Sequence, residues 1–260
     1  IDTVNLLKEH IQLGDIYEIN YCMPFVAKKV EIDPIALYAL LNDLSPMPFS
    51  TLLKSDNIWV IGASPEEYFK VTDEVICSSP IKGTAKRGRT VYDDQRLKND
   101  LLNSEKERAE NLMIVDLVRN DLNKICVPGS VHVPDLFEIK SFPRVHQMIS
   151  TVKGHLVTNE LEEILRALFP MGSMTGAPKL KALELIEQYE KTKRGAFSGA
   201  IGKKTQNYAD FNVVIRSLIY NQKTQTLFFM VGSAITYDCD PEKEYEECLL
   251  KASAMFNCFI

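Results

Sequence analysis

The sequence predicts an α+β fold in which helices cover large, mostly antiparallel sheets. Two observations carry that expectation. Many strand-like runs follow one another through short polar turns, such as YNQKTQT at 220–226, instead of alternating with helices as βαβ units do. The remaining segments show the apolar periodicity of amphipathic helices. In chain order, helices are expected at 3–13 and 34–43, over 92–124 with a break near Ser104, and at 160–169, 177–191 and 241–256. Strands are expected at 17–30, 57–63, 67–72, 130–140, 145–157, 196–204, 210–220 and 225–237. No Pro- or Gly-rich linker, low-complexity stretch or internal repeat interrupts the chain, which predicts one continuous domain over residues 1–260.

Composition narrows the function. With 45% hydrophobic and 25% charged residues the chain can bury a large core. A net charge of -5 gives no electrostatic reason to expect nucleic acid or an anionic membrane as partner, so any anionic substrate must be drawn in by local cations. The six cysteines form no C-x-x-C pair and the four histidines lack metal spacing, which fits a reducing, cytoplasmic setting. No apolar run approaches the roughly 18 residues that span a bilayer, and no signal peptide is visible. The first residue is Ile1 and not Met, so an upstream portion is expected to be absent from the sequence.

Six stretches carry candidate chemistry. In GASPEEYFKV, Glu66 precedes a strand and can serve as a general acid or base, or simply as a turn residue. In PIKGTAKRG, Lys82 can act as a nucleophile under the field of Lys86, Arg87 and Arg89, or belong to a basic surface loop. Glu107 and Glu110 open the helix ERAENLMIVDLVRNDL, whose apolar face is Leu112, Val115, Leu117 and Val118, and their i, i+3 spacing puts them on one side. Glu244 and Glu247 repeat the arrangement in the last helix, with Asp240 as N-cap and Pro241 in the first turn. Two facing pairs offer a hard cation several carboxylate oxygens, whereas each pair alone equally suits a solvated first turn. In FPMGSMTGAPK, Thr175 can cap a helix whose N-terminus suits an anion. In DFNVVIRSLIY, alternation puts Val214, Arg216 and Leu218 on one face, where the guanidinium meets a ligand carboxylate or an internal acid.

Taken together, PIKGT, SPEEYF, ERAENLMIVDLVRNDL, FPMGSMTGAPK, DFNVVIRS and DPEKEYEECLLKA resemble, in order and approximate spacing, the chorismate-utilising enzymes. That family includes anthranilate synthase component I, aminodeoxychorismate synthase component I, and the isochorismate and salicylate synthases. The resemblance runs from GDIYEINY at 14–21 to the last helix and implies the catalytic half of a large α/β sandwich. The N-terminal half that longer members carry is not seen.

The resemblance also implies roles. Glu107, Glu110, Glu244 and Glu247 match the magnesium-binding glutamates, with Glu110 and Glu247 the direct ligands of Mg2+. Arg216 matches the arginine on the pyruvyl carboxylate of chorismate, and Lys251 a lysine near the other carboxylate. Gly83, Thr84, Gly232, Ser233 and His146 match further substrate contacts, and Glu66 matches the general acid/base. Where the loop reads PIAGT, members are typically anthranilate synthases. PIKGT, as here, is typical of aminodeoxychorismate synthases, in which the lysine attacks C2 before ammonia adds at C4. Water-using relatives carry a base lysine where this chain has Glu18, which disfavours water as the nucleophile. Anthranilate synthase component I is the alternative within the family, and a non-catalytic chorismate-binding subunit the alternative outside catalysis. No glutamine amidotransferase segment is recognisable, so ammonia is expected from solution or from a separate amidotransferase subunit.

Overall fold

A computed structural model describes residues 1–142 and 145–259. In chain order the elements are α1 (Asp2–Gln12), β1 (Glu18–Lys28), α2 (Pro34–Leu44), β2 (Phe49–Ser55), β3 (Ile58–Ser64), β4 (Glu67–Thr72), β5 (Val75–Ser78) and β6 (Ile81–Lys86). They continue with α3 (Val91–Asn103), α4 (Glu105–Asn123), β7 (His132–Ser141), β8 (Val145–His155), α5 (Leu161–Leu168), β9 (Gly176–Ala177) and α6 (Lys179–Tyr189). The last are β10 (Ala200–Lys204), β11 (Tyr208–Val213), β12 (Ser217–Asn221), β13 (Thr226–Ile235) and α7 (Pro241–Asn257). The architecture is α+β, and the chain divides into two compact units, each holding most of one sheet.

Unit one comprises residues 1–66, 173–201 and 212 onward. Its sheet has the order β2-β3-β12-β13-β1-β9. The long β1·β13 pair is antiparallel and sets Phe25 opposite Phe229, whose rings stack at 4.9 Å. Odd-numbered β1 residues point to one face, as the two-residue period of a strand requires. There Leu37 and Leu41 of α2 and Ala252 and Met255 of α7 pack with Phe229 and Leu218, while Val4 and Leu7 of α1 and Leu185 of α6 pack on Ile19 and Ile235. Each helical pair is spaced i, i+3 or i, i+4, so one stripe meets the sheet.

Unit two comprises residues 67–172 and 202–211, with strand order β10-β11-β4-β5-β8-β6 and β7 paired to β8. The β4·β5, β5·β8, β6·β8 and β7·β8 pairs are antiparallel. On this sheet α4 buries Ile114, Val115, Val118 and Leu122. Its position along β8 is pinned by a buried polar chain. Ser150 Oγ donates to Asn111 Oδ1 at 2.5 Å and accepts the Phe137 N–H at 3.0 Å, and Asn111 Nδ2 donates to the Met148 carbonyl at 3.5 Å. Asn111→Ala strands the Ser150 hydroxyl and opens a small void, so the unfolding free energy should fall by about 2–4 kcal/mol, measurable as a lower urea midpoint at unchanged m.

The helices fall where periodicity places them, including the break. Ser104 ends α3 and caps α4, its hydroxyl accepting the Glu107 N–H at 3.3 Å. Four strands lie outside the expectation, namely β2, β5, β6 and β9. The Lys82 segment reads as a loop because it mixes glycine with cations, yet it pairs with β8 through a register shift between Ile81 and Thr84 that absorbs Gly83 at φ +91. The run 210–220 is two strands in two sheets, not one. Arg216, at φ +47, turns the chain between β11 and β12, so the alternation argument for its side chain fails. Thr175 does not cap α6 either. It is buried, its carbonyl accepts the Asn20 N–H at 2.8 Å, and Pro178 is the N-cap. Among the described residues no helix is long and apolar enough to cross a membrane.

Candidate active site

Unit two gathers Lys82, Gly83, Glu107 and Glu110. The cap at Ser104 sets the phase of α4, which brings Glu107 and Glu110 over β6 from the first two turns, where carboxylates also complement the helix dipole. A Cβ on Gly83 would meet Glu107 Oε2 at 2.9 Å, so glycine lets the strand and the glutamate approach. Next to it, Lys82 Nζ lies 3.6 Å from Glu110 Oε2, with the two side chains only 13% and 14% exposed. Lys106 Nζ stands 3.8 Å from the other Glu110 oxygen. Thr84 and Ala85 pair with Gln147 and His146 on β8.

His146 is buried and both ring nitrogens are engaged. Nε2 lies 3.0 Å from Asp94 Oδ1 and Nδ1 2.8 Å from Ser141 Oγ. Sequence reasoning missed both partners. Asp94 lies far upstream in the chain, and nothing local ties it to His146.

Unit one holds two clusters. The β3·β12 register pairs Gly62 with Ser217, so residues just after β3 and just before β12 emerge at the same end of the sheet. That register puts Glu66 and Arg216 at one end. Glu66 is buried, and its Oε1 accepts the Ser173 hydroxyl at 3.0 Å. Ser173 lies within the segment singled out as a helix start, but reading it as a cap directed attention to Thr175. Burial pushes the Arg216 guanidinium below its ordinary value, and the Glu66 carboxylate opposes that shift. Among the described residues Arg216 forms no ion pair within 4.0 Å.

The second cluster joins β13 to α7. Asp240 accepts the Glu242 and Lys243 N–H groups and Pro241 starts the helix, as expected from the sequence. That phase turns Glu244 toward β13, where the Ser233 hydroxyl donates to its carboxylate. Lys251 Nζ reaches Glu247 Oε1 at 2.7 Å and the Gly232 carbonyl at 2.9 Å. Gly232, Ser233, Glu244, Glu247 and Lys251 are therefore neighbours.

The four glutamates are hard oxygen donors of the kind magnesium takes, one or two at a time with water and substrate oxygens completing the sphere. Glu110 and Glu247 each face a lysine Nζ, of Lys82 and Lys251 respectively. Among the described residues no group of three or more His, Cys, Asp or Glu stands where it could by itself hold a metal ion. All six cysteines are free, and burial pushes the Cys248 thiol up to about 11, which leaves it un-ionised near neutrality and a poor nucleophile.

Comparison with known proteins places these residues in context. The family model for chorismate binding enzymes matches residues 1–257. The chain is 40% identical over 262 residues to the chloroplastic aminodeoxychorismate synthase of Arabidopsis thaliana, covering 99% of this chain and 28% of that protein. It is 38% identical over 258 residues to anthranilate synthase component 1 of Aquifex aeolicus, covering 98% of this chain and 52% of that one. Among solved structures, anthranilate synthase component I of Streptococcus pneumoniae superposes with a TM-score of 0.87 at 32% identity, over 98% of this chain and 56% of that one. The chain thus spans about half the length, or less, of these relatives.

Proposed function

The chain belongs to the chorismate-binding enzyme family, and from that premise we propose that it aminates chorismate at C4, as aminodeoxychorismate synthase component I does. Overall identity to aminodeoxychorismate and anthranilate synthases is nearly equal, so it does not separate the two readings. The observation that carries the choice is Lys82, an amine on β6 with little exposure, set against the Glu110 carboxylate. A lysine there supplies a nucleophile that an alanine cannot.

In this reading the neutral Lys82 amine forms a bond to C2 of chorismate while the C4–O bond breaks and the hydroxyl leaves as water with a proton from Glu66. Ammonia then bonds to C4, the C2–N bond to Lys82 breaks, and the proton shed by the incoming nitrogen returns to Glu66. The sum is chorismate plus ammonia giving 4-amino-4-deoxychorismate plus water. Arg216 binds the pyruvyl carboxylate with its guanidinium, and Lys251, Gly83, Thr84, His146, Gly232 and Ser233 complete the substrate contacts. Glu107, Glu110, Glu244 and Glu247 are the residues that would hold magnesium, which would neutralise the ring carboxylate when bound. Ammonia reaches the site from solution or from a separate glutamine amidotransferase subunit, and the product serves para-aminobenzoate and folate synthesis.

The test is to incubate the purified chain with chorismate, a magnesium salt and an ammonium salt, with and without a chelator, and to identify products by liquid chromatography and mass spectrometry. The expected product is 4-amino-4-deoxychorismate, lost on chelation. Anthranilate in its place assigns the chain to C2 amination. Saturable chorismate binding without turnover makes it a binding subunit.

A further inference from the structure

The network around His146 assigns a part to Asp94. We infer that Asp94 is a positioning residue that fixes the tautomer and orientation of His146, an inference that rests on the proposed function only for its kinetic consequence. The Arg87 fork grips Asp94 from one side, Nε to Oδ1 and Nη2 to Oδ2, both at 2.8 Å, while the Gly88 N–H donates to Oδ1 at 2.8 Å. The glycine is obligatory at this approach, because a Cβ on residue 88 would lie 2.1 Å from the Asp94 nitrogen. These contacts, the Arg87 bonds foremost, hold the Asp94 carboxyl well below the usual carboxylate range.

An ionised carboxylate only accepts hydrogen bonds. His146 Nε2, 3.0 Å from Oδ1, must therefore carry a proton and donate it, and neutral imidazole then presents a lone pair at Nδ1. That lone pair accepts from the Ser141 hydroxyl at 2.8 Å. Arg87 also donates from Nη1 to the Phe142 carbonyl at 2.7 Å, so the Arg87–Asp94 pair and the imidazole together tie the exit of β6, the end of β7 and the start of β8. The same strand β6 carries Lys82, Gly83 and Thr84. Loss of Asp94 thus leaves a buried Nε2–H without its acceptor, and moving the proton to Nδ1, where Ser141 Oγ can accept it, becomes the better arrangement.

The tautomer is read directly by two-bond 15N–1H correlation spectra of the whole chain labelled with 15N-histidine, with the His146 signals identified by their loss in His146→Gln. The wild type should show Nε2 protonated, and Asp94→Leu should show the proton at Nδ1. Asp94→Asn should keep the wild-type pattern, because its amide oxygen can replace Oδ1. Ser141→Ala should also keep it, and this variant decides the matter if Asp94→Leu does not fold. Unprotonated Nε2 in the wild type, an unchanged pattern in a folded Asp94→Leu, or a switch in Ser141→Ala overturns the inference. In chorismate turnover, Asp94→Leu should lower kcat by about tenfold or more with a smaller change in KM, as misplaced imidazole protons do. In a His146→Gln background it should add no further loss, whereas a purely structural role would add its loss in full. A wild type that shows the expected tautomer but consumes no chorismate removes the proposed reaction and leaves the positioning role standing.

Discussion

Lys82→Ala should lower formation of 4-amino-4-deoxychorismate by about 10³-fold or more, because removing a covalent nucleophile leaves only binding and orientation to accelerate the reaction. Chorismate binding should survive, since the contacts are assigned to Arg216, between β11 and β12, and to Lys251 on α7, neither of them on β6. Lys82→Arg should be equally inactive. A guanidinium keeps its charge and has no free electron pair with which to attack C2. Intact-protein mass spectra of acid-quenched turnovers provide a second reading: the wild type should carry a population heavier by chorismate less water, and both variants should not. Turnover within about tenfold of wild type in Lys82→Ala would sink the covalent route. Anthranilate made by the variant would support it from the opposite side, by showing that the lysine had kept ammonia away from C2.

The elements that sequence reveals best are those whose signal is local. Periodicity and caps locate the α-helices α1 to α7 among the described residues, and even the break between α3 and α4 is legible, since Ser104 followed by Glu107 has the chemistry of a helix start. What sequence hides is decided by partners elsewhere in the chain. β6 is a strand because β8 accepts its irregular register around Gly83, a fact absent from residues 80–88 themselves. The strand-like run at 210–220 conceals a turn at Arg216, because a positive φ at a non-glycine residue has no compositional mark. The candidate site divides in the same way. The types and spacing of Lys82, Glu107, Glu110, Glu244 and Glu247 stand in the sequence, while the Ser173 bond to Glu66 and the Asp94 bond to His146 connect residues 107 and 52 positions apart.

Arg216→Met should weaken chorismate binding by about 10²-fold while leaving the melting temperature within a few degrees of wild type. The two halves of that expectation come from the same observation. A half-buried guanidinium that forms no ion pair among the described residues has lost hydration that the Glu66 carboxylate only partly offsets, which is why its pKa is depressed. Such a charge is a liability to the ligand-free fold and an asset to an anionic ligand. Losing one partner of a desolvated, charge-assisted contact typically costs about 2–5 kcal/mol of binding. Met is unbranched and adaptable, fills similar volume, and already has a neighbour in Met47, whose sulfur lies 4.0 Å from Arg216 Nη1. Relief of the desolvation penalty should offset what Glu66 loses in electrostatic support, and the Ser173 hydroxyl still reaches that carboxylate. Calorimetric titration with chorismate and a thermal melt on the same sample separate the two effects. A large drop in melting temperature would mean that the guanidinium serves the fold, and unchanged affinity would mean that the substrate carboxylate is bound elsewhere.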